Sequence, residues 1–166
     1  MAGSRDAFGA AERERELMLT RVLEELAQVA SSGRRADLVA LHARCKYMLL
    51  AYDETAMREM GRIVSTLPVR PWEESIALYG GWLTAALNKP ATIGGHANVL
   101  MHAFGHLSSQ LTAAERAGYL DQLASFRDGR VSLESVRSPL RVWIARFDVQ
   151  YLADQIYFQT DDGQAE

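Results

Sequence analysis

A chain of 166 residues with 48% hydrophobic and 23% charged residues has the size and composition of a single soluble globular domain. A single cysteine excludes an intramolecular disulfide. The sequence shows no signal-peptide pattern, no membrane anchor and no run of about 18 apolar residues, so a cytoplasmic location without membrane attachment is predicted. The net charge of −3 argues weakly against nucleic acid, but residues 26–147 hold 14 Lys/Arg against 10 Asp/Glu, and this mildly basic body permits an anionic partner.

Apolar residues at helical spacing predict three helices in the first part of the chain. The first is expected over residues 10–32, with Gly33 as its C-terminal stop. Asp37 is expected to cap the second helix and Asp53 the third, which Pro68 ends. Their inward positions are Leu19, Val22, Leu23, Leu26 and Val29, then Leu38, Leu41, Cys45, Met48, Leu49 and Tyr52, then Met57, Met60, Val64 and Leu67.

Two further helices are predicted in the middle of the chain. Pro71 opens the fourth, since its missing N–H costs little at that position, and Gly80-Gly81 predict that another backbone approaches closely. The fifth begins near Gly94. The inward positions are Trp72, Ile76, Tyr79, Leu83 and Leu87, then His96, Val99, Leu100, Ala103 and Leu107, and all three tryptophans, Trp72, Trp82 and Trp143, are predicted in the core.

A capping box, Thr112 to Glu115, opens the sixth helix, which Gly129 ends. A seventh is expected over residues 133–147, and YLADQIYFQ predicts a short closing helix. The inward positions are Tyr119, Leu120, Leu123 and Phe126, then Val136, Leu140, Trp143 and Phe147. The fold class predicted from these patterns is all-α, a compact single-domain bundle of about six to eight helices.

HARCK places His42 and Lys46 one turn apart on the same face of the second helix. This pair is either a boundary position, where Lys46 reaches water, or a cationic contact for an anion. Cys45 projects among apolar neighbours, where burial keeps a thiol neutral and inert.

Residues 88–106, NKPATIGGHANVLMHAFGH, contain three of the four histidines. His96 and His102 lie about 240° apart around a helix, so they do not share a metal site, and no metal or cofactor is predicted. Two interpretations of the Gly-Gly pair remain open. Either Thr92 caps the helix and the glycines form the turn, or the free amides receive a phosphate, with Lys89 and Asn98 as further donors.

Five stretches, LHARCKYMLLAY, MREMGRIV, KPATIGGHANVLMHAFGH, FRDGRV and YLADQIYF, occur in this order. Together they resemble the YbgA-like family, a domain of unknown function found alone or fused behind a thiouracil or tRNA 4-thiouridine desulfidase module. The resemblance covers about residues 38–158. Together with the helical pattern and the acidic C-terminus, it predicts residues 1–33 as an N-terminal helix, 34–158 as the family domain and 159–166 as an acidic frayed tail.

The resemblance implies an RNA-binding module, with tRNA and a desulfidase-like protein as partners. The chain lacks the cysteines of the desulfidase module, so that activity is not implied here. It also departs from the family, with Tyr52 where relatives commonly have His, Met57 where they have Tyr, and Met60 where they have Leu. The implied RNA or anion contacts are His42, Arg44, Lys46, Arg58, Arg62, Lys89, Thr92, Gly94, Gly95, His96, Asn98, His102, Arg127, Arg130, Gln155 and Tyr157.

Two classes of function therefore remain open. The first is a non-catalytic RNA-binding or accessory domain associated with desulfuration, in which cations meet phosphates and exposed rings stack on bases. The second is a small enzyme acting on a nucleobase-like or anionic substrate, with His42, His96 or His102 as general acid or base. A structural interaction domain is a third possibility, and the oligomeric state is not predicted.

Overall fold

The structure is a computed structural model that describes residues 2–159, and of residues 2–8 only the helical backbone. Over this range the chain contains helices and no strand, which confirms the all-α prediction and the number of helices. The helices are α1 (Ala2–Ser32), α2 (Arg35–Tyr52), α3 (Glu54–Ser65), α4 (Trp72–Leu87), α5 (Ile93–Leu107), α6 (Ala113–Arg127), α7 (Leu133–Arg146) and α8 (Gln150–Ala153). Short 3₁₀ helices follow at Ser108–Gln110 and Ile156–Phe158. Of the predicted frayed tail, all but its first residue lies outside the described residues.

By the density of internal contacts, the chain divides into two compact units, Met1–Pro90 and Ala91–Glu166. Helices α1 to α4 belong to the first unit and α5 to α8 to the second. Among the helices in the described part of the chain, none combines the length and the apolar character needed to cross a membrane.

In the first unit, α1 and α4 run antiparallel against each other. Trp72 donates its indole N–H to the carbonyl of Ala30 at 3.1 Å, and Arg15 donates to the carbonyl of Leu87 at 2.8 Å. The core between the helices is built from the stripes that the sequence predicts. Its fully buried members include Val22, Leu38, Leu41, Met48, Leu49, Met60, Tyr79, Leu83 and Leu87.

In the second unit, α5 packs against α6 and α7. The ring of Tyr119 stacks on Phe104 at 5.0 Å between centroids and meets Trp143 edge-on at 5.5 Å. Its hydroxyl donates to the carbonyl of Val136 at 3.1 Å, so this buried polar group has a partner. One tyrosine thus joins the three helices of the unit.

Helix α7 contains an internal proline, Pro139. Proline has no N–H, so the carbonyl of Ser135, four residues earlier, receives no helical hydrogen bond from that position. The side chain of Gln122 in α6 donates to this carbonyl at 2.8 Å. A neighbouring helix therefore supplies the donor that the proline lacks.

Most of the predicted helix ends are confirmed. The Asp53 side chain accepts from the amide of Ala56 at 3.0 Å, and Thr112 and Glu115 form both hydrogen bonds of the capping box. Gly33 and Gly129 follow their helices with φ of 64° and 70°, a left-handed conformation that glycine adopts without the steric strain that a Cβ would cause.

Two local predictions are wrong. Asp37 does not cap α2, which begins at Arg35 after Arg34; instead Asp37 lies in the first turn and pairs with Arg34 at 2.9 Å. No backbone crosses closely at Gly80-Gly81: a Cβ on Gly80 would lie 3.3 Å from a side-chain atom, Leu26 Cδ2, and one on Gly81 would meet open space.

The predicted core positions are wrong at two large side chains. Leu120 is 43% exposed on α6 and Trp82 is 36% exposed on α4. Both lie beside an apolar stripe rather than within it, so their helical angle carries them toward water.

Candidate functional site

The basic residues of α2 form the most coherent group among the predicted contacts. Between Leu38 and Tyr52 this helix carries His42, Arg44 and Lys46 and no acidic residue. Lys46 is exposed, and it makes no ion pair with any residue in the part of the chain that the structure describes. Its ammonium group is therefore available to an anion.

His42 lies half-buried beside α4. Its Nδ1 is 3.2 Å from the Tyr79 hydroxyl, and a Cβ on Gly61 would lie 3.5 Å from its Nε2, an ordinary contact distance, so α3 lies beside the ring. Burial, and secondarily the charge of Lys46, lower the pKa of His42. His42 is consequently neutral at pH 7 and takes part as a hydrogen-bonding ring rather than as a cation.

Cys45 is buried, as the sequence predicts. Burial raises the pKa of its thiol to about 12, although a hydrogen bond from Tyr79 acts in the opposite direction. Burial also raises the pKa of the Tyr79 hydroxyl. Neither group is ionised near neutral pH, so this pair has the chemistry of a core hydrogen bond, and the inertness of the thiol stays a prediction.

Most of the other predicted cations face local carboxylates. Lys89 lies 2.9 Å from Asp53, Arg130 lies 2.7 Å from Asp128, and Arg44 pairs with Glu25. On α3, Arg58 pairs with Glu54 and Arg62 with Glu59. The Arg44–Glu25 pair is half-buried. Exposed ion pairs contribute roughly 0–1 kcal/mol, so a phosphate can compete for the exposed cations Lys89, Arg130, Arg58 and Arg62. Arg127 is exposed at the end of α6, and no ion pair is found for it within residues 9–159.

At the start of α5 the structure confirms Thr92 as the cap. Its hydroxyl accepts from the amide of Gly95 at 2.9 Å, and its carbonyl accepts from His96 at 3.0 Å. The amides of Ile93 and Gly94 are the donors left for a ligand. A Cβ on Gly94 would meet only the Thr92 hydroxyl, at 3.8 Å, so no protein neighbour requires glycine there. Anion binding at this end stays a prediction.

The histidines of α5 separate as the helical angle predicts. His96 points inward and its Nδ1 lies 2.8 Å from the Tyr157 hydroxyl. Burial, with a smaller contribution from the charge of Arg137, lowers the pKa of His96 to about 4. Asn98 and His102 are exposed on the other face. Two of the three histidines considered for acid–base chemistry, His42 and His96, are thus held by tyrosine hydroxyls.

Two weaker candidates from the C-terminal stretch are interior residues. Gln155 and Tyr157 are each 1% exposed, so they present no surface to a macromolecule in this structure. Sequence reasoning missed their neighbour Arg137, which is 8% exposed, lies 5.7 Å from the Tyr157 ring centroid and pairs with Glu134 at 3.2 Å. The i,i+3 spacing of Glu134 and Arg137 is the signal that could have found this pair.

The predicted contacts divide between the two units. His42, Arg44, Lys46, Arg58, Arg62 and Lys89 belong to the first unit, and Thr92, Gly94, Gly95, His96, Asn98, His102, Arg127, Arg130, Gln155 and Tyr157 belong to the second. Within the first unit, a groove of about 520 Å³ between α1 and α2 is lined by Glu25, Gln28, Val29, Asp37, Ala40, Leu41 and Arg44. Its two carboxylates and one guanidinium do not make it a basic site.

A search of the described residues for three or more His, Cys, Asp or Glu side chains placed to hold one metal ion finds no such group. The arrangement as a whole is that of a helical protein with cations on its surface and neutral, tyrosine-bound histidines beneath it.

The class that the fold defines is an all-α protein. Residues 46–161 match the family described as "Protein of unknown function (DUF1722)", and the chain belongs to this family. The match covers more than half of the chain. Comparisons with curated proteins and with solved structures gave no match.

Proposed function

We propose that this protein is a non-catalytic RNA-binding or accessory domain, with tRNA as its RNA. The observation that carries the proposal is the basic segment of α2, where Lys46 is exposed without an ion pair and no carboxylate lies between Leu38 and Tyr52. Lys46 lies one helical turn from His42 on the same face of α2, and an uncompensated cation there suits a phosphate backbone.

The link to desulfuration rests on the resemblance to the YbgA-like family. The proposed role is to hold a tRNA for a separate desulfidase-like protein, since this chain has one cysteine and that thiol is buried. The described residues offer no thiolate for sulfur chemistry, because burial keeps Cys45 protonated.

In the proposed mechanism, cations contact the phosphates and the neutral ring of His42 contacts a base. Lys46, Arg44 and Lys89 meet phosphates, and binding of phosphate replaces the weak pairs that Arg44 and Lys89 make with carboxylates. His42 is neutral and half-buried, so it contributes a hydrogen bond or ring contact to an unstacked base rather than charge.

The test is binding of labelled tRNA, followed by fluorescence anisotropy at about 50 mM salt, where phosphate contacts are strongest. Lys46→Ala is expected to weaken binding by about three- to tenfold, as loss of one phosphate contact does. Arg70→Ala is the matched control, because it removes the same charge from the first unit outside the predicted surface and leaves α2 intact.

Circular dichroism establishes that both variants keep the helical fold. Absence of tRNA binding by the wild-type protein would contradict the proposal, and so would equal losses for Lys46→Ala and Arg70→Ala.

A further inference from the structure

The ring of His42 has one nitrogen inside the first unit and one at its surface. Nδ1 lies 3.2 Å from the hydroxyl of Tyr79, a fully buried residue of α4. Every buried side-chain nitrogen and oxygen atom in the described residues has a hydrogen-bond partner, and the other ring nitrogen, Nε2, has no partner among those residues. Nε2 is therefore not buried, and it reaches solvent.

The hydroxyl of Tyr79 lies between two groups that could receive its hydrogen, Nδ1 of His42 and the sulfur of Cys45. A bare imidazole nitrogen is the better acceptor, because sulfur accepts hydrogen bonds only weakly. Tyr79 would donate to the sulfur if Cys45 were a thiolate, but burial keeps the thiol protonated. The hydroxyl hydrogen is therefore directed to Nδ1.

This hydrogen bond decides where the neutral His42 ring carries its own proton. The bond made by one imidazole nitrogen sets the protonation of the other, so a ring that accepts at Nδ1 has its hydrogen on Nε2. The two rings meet edge-on, with 5.8 Å between their centroids and 81° between their planes, and this packing also orients the imidazole. The atom that reaches solvent is thus an N–H donor.

A glycine of α3 leaves this donor uncovered. Glycine is unfavourable inside a helix, so Gly61 calls for a packing or a functional reason. Packing does not require it, because outside its own helix a Cβ would meet only Nε2 of His42, at 3.5 Å, which is an ordinary contact. A longer side chain at this position would instead cover Nε2.

A cation lies beside the donor. Lys46 follows His42 by one helical turn on the same face of α2, is exposed and makes no ion pair with a described residue. A neutral donor next to a positive charge matches a nucleotide, in which the acceptor atoms of an unstacked base lie close to a phosphate.

Resting on the proposed function, we propose that the Nε2–H of His42 donates to an acceptor atom of an unstacked RNA base while Lys46 contacts the adjoining phosphate, and that Tyr79 holds His42 in this tautomer. Tyr79 is a positioning residue, since it acts on the RNA only through His42. Gly61 keeps the donor accessible.

The tautomer is measured without RNA. Heteronuclear NMR distinguishes protonated from bare ring nitrogens, and at about pH 8 the His42 ring is neutral. The wild-type protein is expected to carry the proton on Nε2 alone, and Tyr79→Phe to show both tautomers. Cys45→Ala, a matched change in the same buried cluster, is expected to keep the wild-type signals. A proton on Nδ1 in the wild type, or unchanged ring signals in Tyr79→Phe, would overturn the positioning role.

Two amide substitutions test the contact with RNA, read by tRNA anisotropy. His42→Asn is expected to weaken binding by about two- to tenfold, as the loss of one hydrogen bond does. His42→Gln is expected to recover most of that loss, because its longer side chain places an N–H donor where Nε2 lies, whereas asparagine reaches only the position of Nδ1. Full binding by His42→Asn, or equal losses in both variants, would overturn the contact.

Gly61→Leu separates access from stability. Leucine favours the helix over glycine, so the thermal unfolding midpoint is expected to rise while tRNA affinity falls by about two- to tenfold through loss of the same hydrogen bond. Gly118→Leu is the control, an exposed glycine of α6 whose Cβ would meet nothing within 4 Å, and it is expected to raise the midpoint at unchanged affinity.

The outcomes distinguish this inference from the proposed function. A midpoint that falls in Gly61→Leu would show that packing requires the glycine, and an unchanged affinity would show that Nε2 is not the contact. If the wild-type protein binds no tRNA, the proposed function fails and the contact with RNA fails with it, whereas the NMR measurement still decides the role of Tyr79.

Discussion

At the scale of single residues, the histidines divide by their surroundings rather than by their place in the sequence. His42 and His96 are both bound through Nδ1 to a tyrosine hydroxyl, and burial lowers the pKa of each. His102 lies exposed on the outer face of α5. A sequence motif with three histidines thus contains one half-buried ring, His96, and two surface rings, His102 and His106.

The burial of His96 makes stability depend on pH. Its pKa is about 4 in the folded state and 6.5 when unperturbed, so only the unfolded chain gains a proton between these values. The stability this ring contributes is complete above pH 6.5 and is lost as the pH falls toward 4. Between pH 7 and pH 5 the free energy of unfolding is expected to fall by about 2 kcal/mol, at roughly 1.4 kcal/mol per pH unit.

Urea denaturation at the two pH values measures this change, and His96→Gln supplies the control because glutamine does not titrate. The variant is expected to lose most of the pH dependence, with His42 accounting for the remainder. An unchanged pH dependence in His96→Gln would contradict the assignment. The test stays above the range in which Asp53 and Glu115 titrate, whose pKa values are lowered by hydrogen bonds.

The residue scale also shows why the candidate site was predicted only in part. Arg58 and Arg62 lie within four residues of Glu54 and Glu59, and this neutralising spacing is visible in the sequence. The hydrogen bond between His96 and Tyr157 joins residues 61 apart, and no local pattern indicates it. Local charge pairing can be predicted before a structure is known, whereas long-range burial depends on how the helices pack.

At the scale of elements, the two adjacent glycines of α4 have different surroundings. Gly80 lies against Leu26 of α1, while Gly81, 100° further round, faces open space. The sequence prediction treated them as one site of close approach because both lower helix propensity. The structure shows that only Gly80 is constrained from inside the unit.

This difference gives a matched pair of substitutions. Gly81→Ala is expected to raise the free energy of unfolding by about 0.5–1 kcal/mol, since alanine restricts the unfolded chain and meets no neighbour. Gly80→Ala is expected to gain less or to destabilise, because its Cβ would lie 3.3 Å from Leu26 Cδ2, closer than an ordinary contact.

Chemical denaturation at about 1 µM, a concentration that limits any self-association, compares the two variants. An equal gain in both would show that Leu26 moves aside freely and that Gly80 is not constrained.

Helix ends were predicted better than helix faces, for a physical reason. The Asp53 cap and the Thr112–Glu115 box satisfy amides within three residues, so the sequence contains both partners. The exposure of Trp82 depends on which neighbouring helix covers that side of α4, and the sequence does not specify it. The failed cap at Asp37 shows that a cap residue close to a helix start can instead serve within its first turn.

At the scale of the whole molecule, the net charge is negative, whereas one segment of α2 carries only positive charge. The chain carries −3 overall, whereas α2 between Leu38 and Tyr52 carries only basic residues. If the protein binds RNA as proposed, long-range attraction is therefore weak, and binding depends on short-range contacts that salt competes away.

This balance predicts a modest salt dependence. If Arg44, Lys46 and Lys89 each meet one phosphate, the slope of log K against log salt concentration is about −2 for a single-stranded region. Affinity for tRNA is then expected to fall by about 15-fold between 50 and 200 mM salt, and Lys46→Ala should reduce the slope by about 0.7. Anisotropy titrations at four salt concentrations measure it, and a slope near zero would contradict phosphate contacts.

Pro139 shows how a missing group can specify a helix pair. Because α7 cannot satisfy the carbonyl of Ser135 with its own backbone at that position, the side chain of Gln122 becomes the natural donor, and it comes from α6. The hydrogen bond between Gln122 and Ser135 therefore fixes how α6 and α7 align along their axes. Redesign of α7 as an ideal helix, with alanine in place of Pro139, would restore the backbone bond and release Gln122. The redesigned helix would be more stable by itself, and it would depend less on α6 for its position.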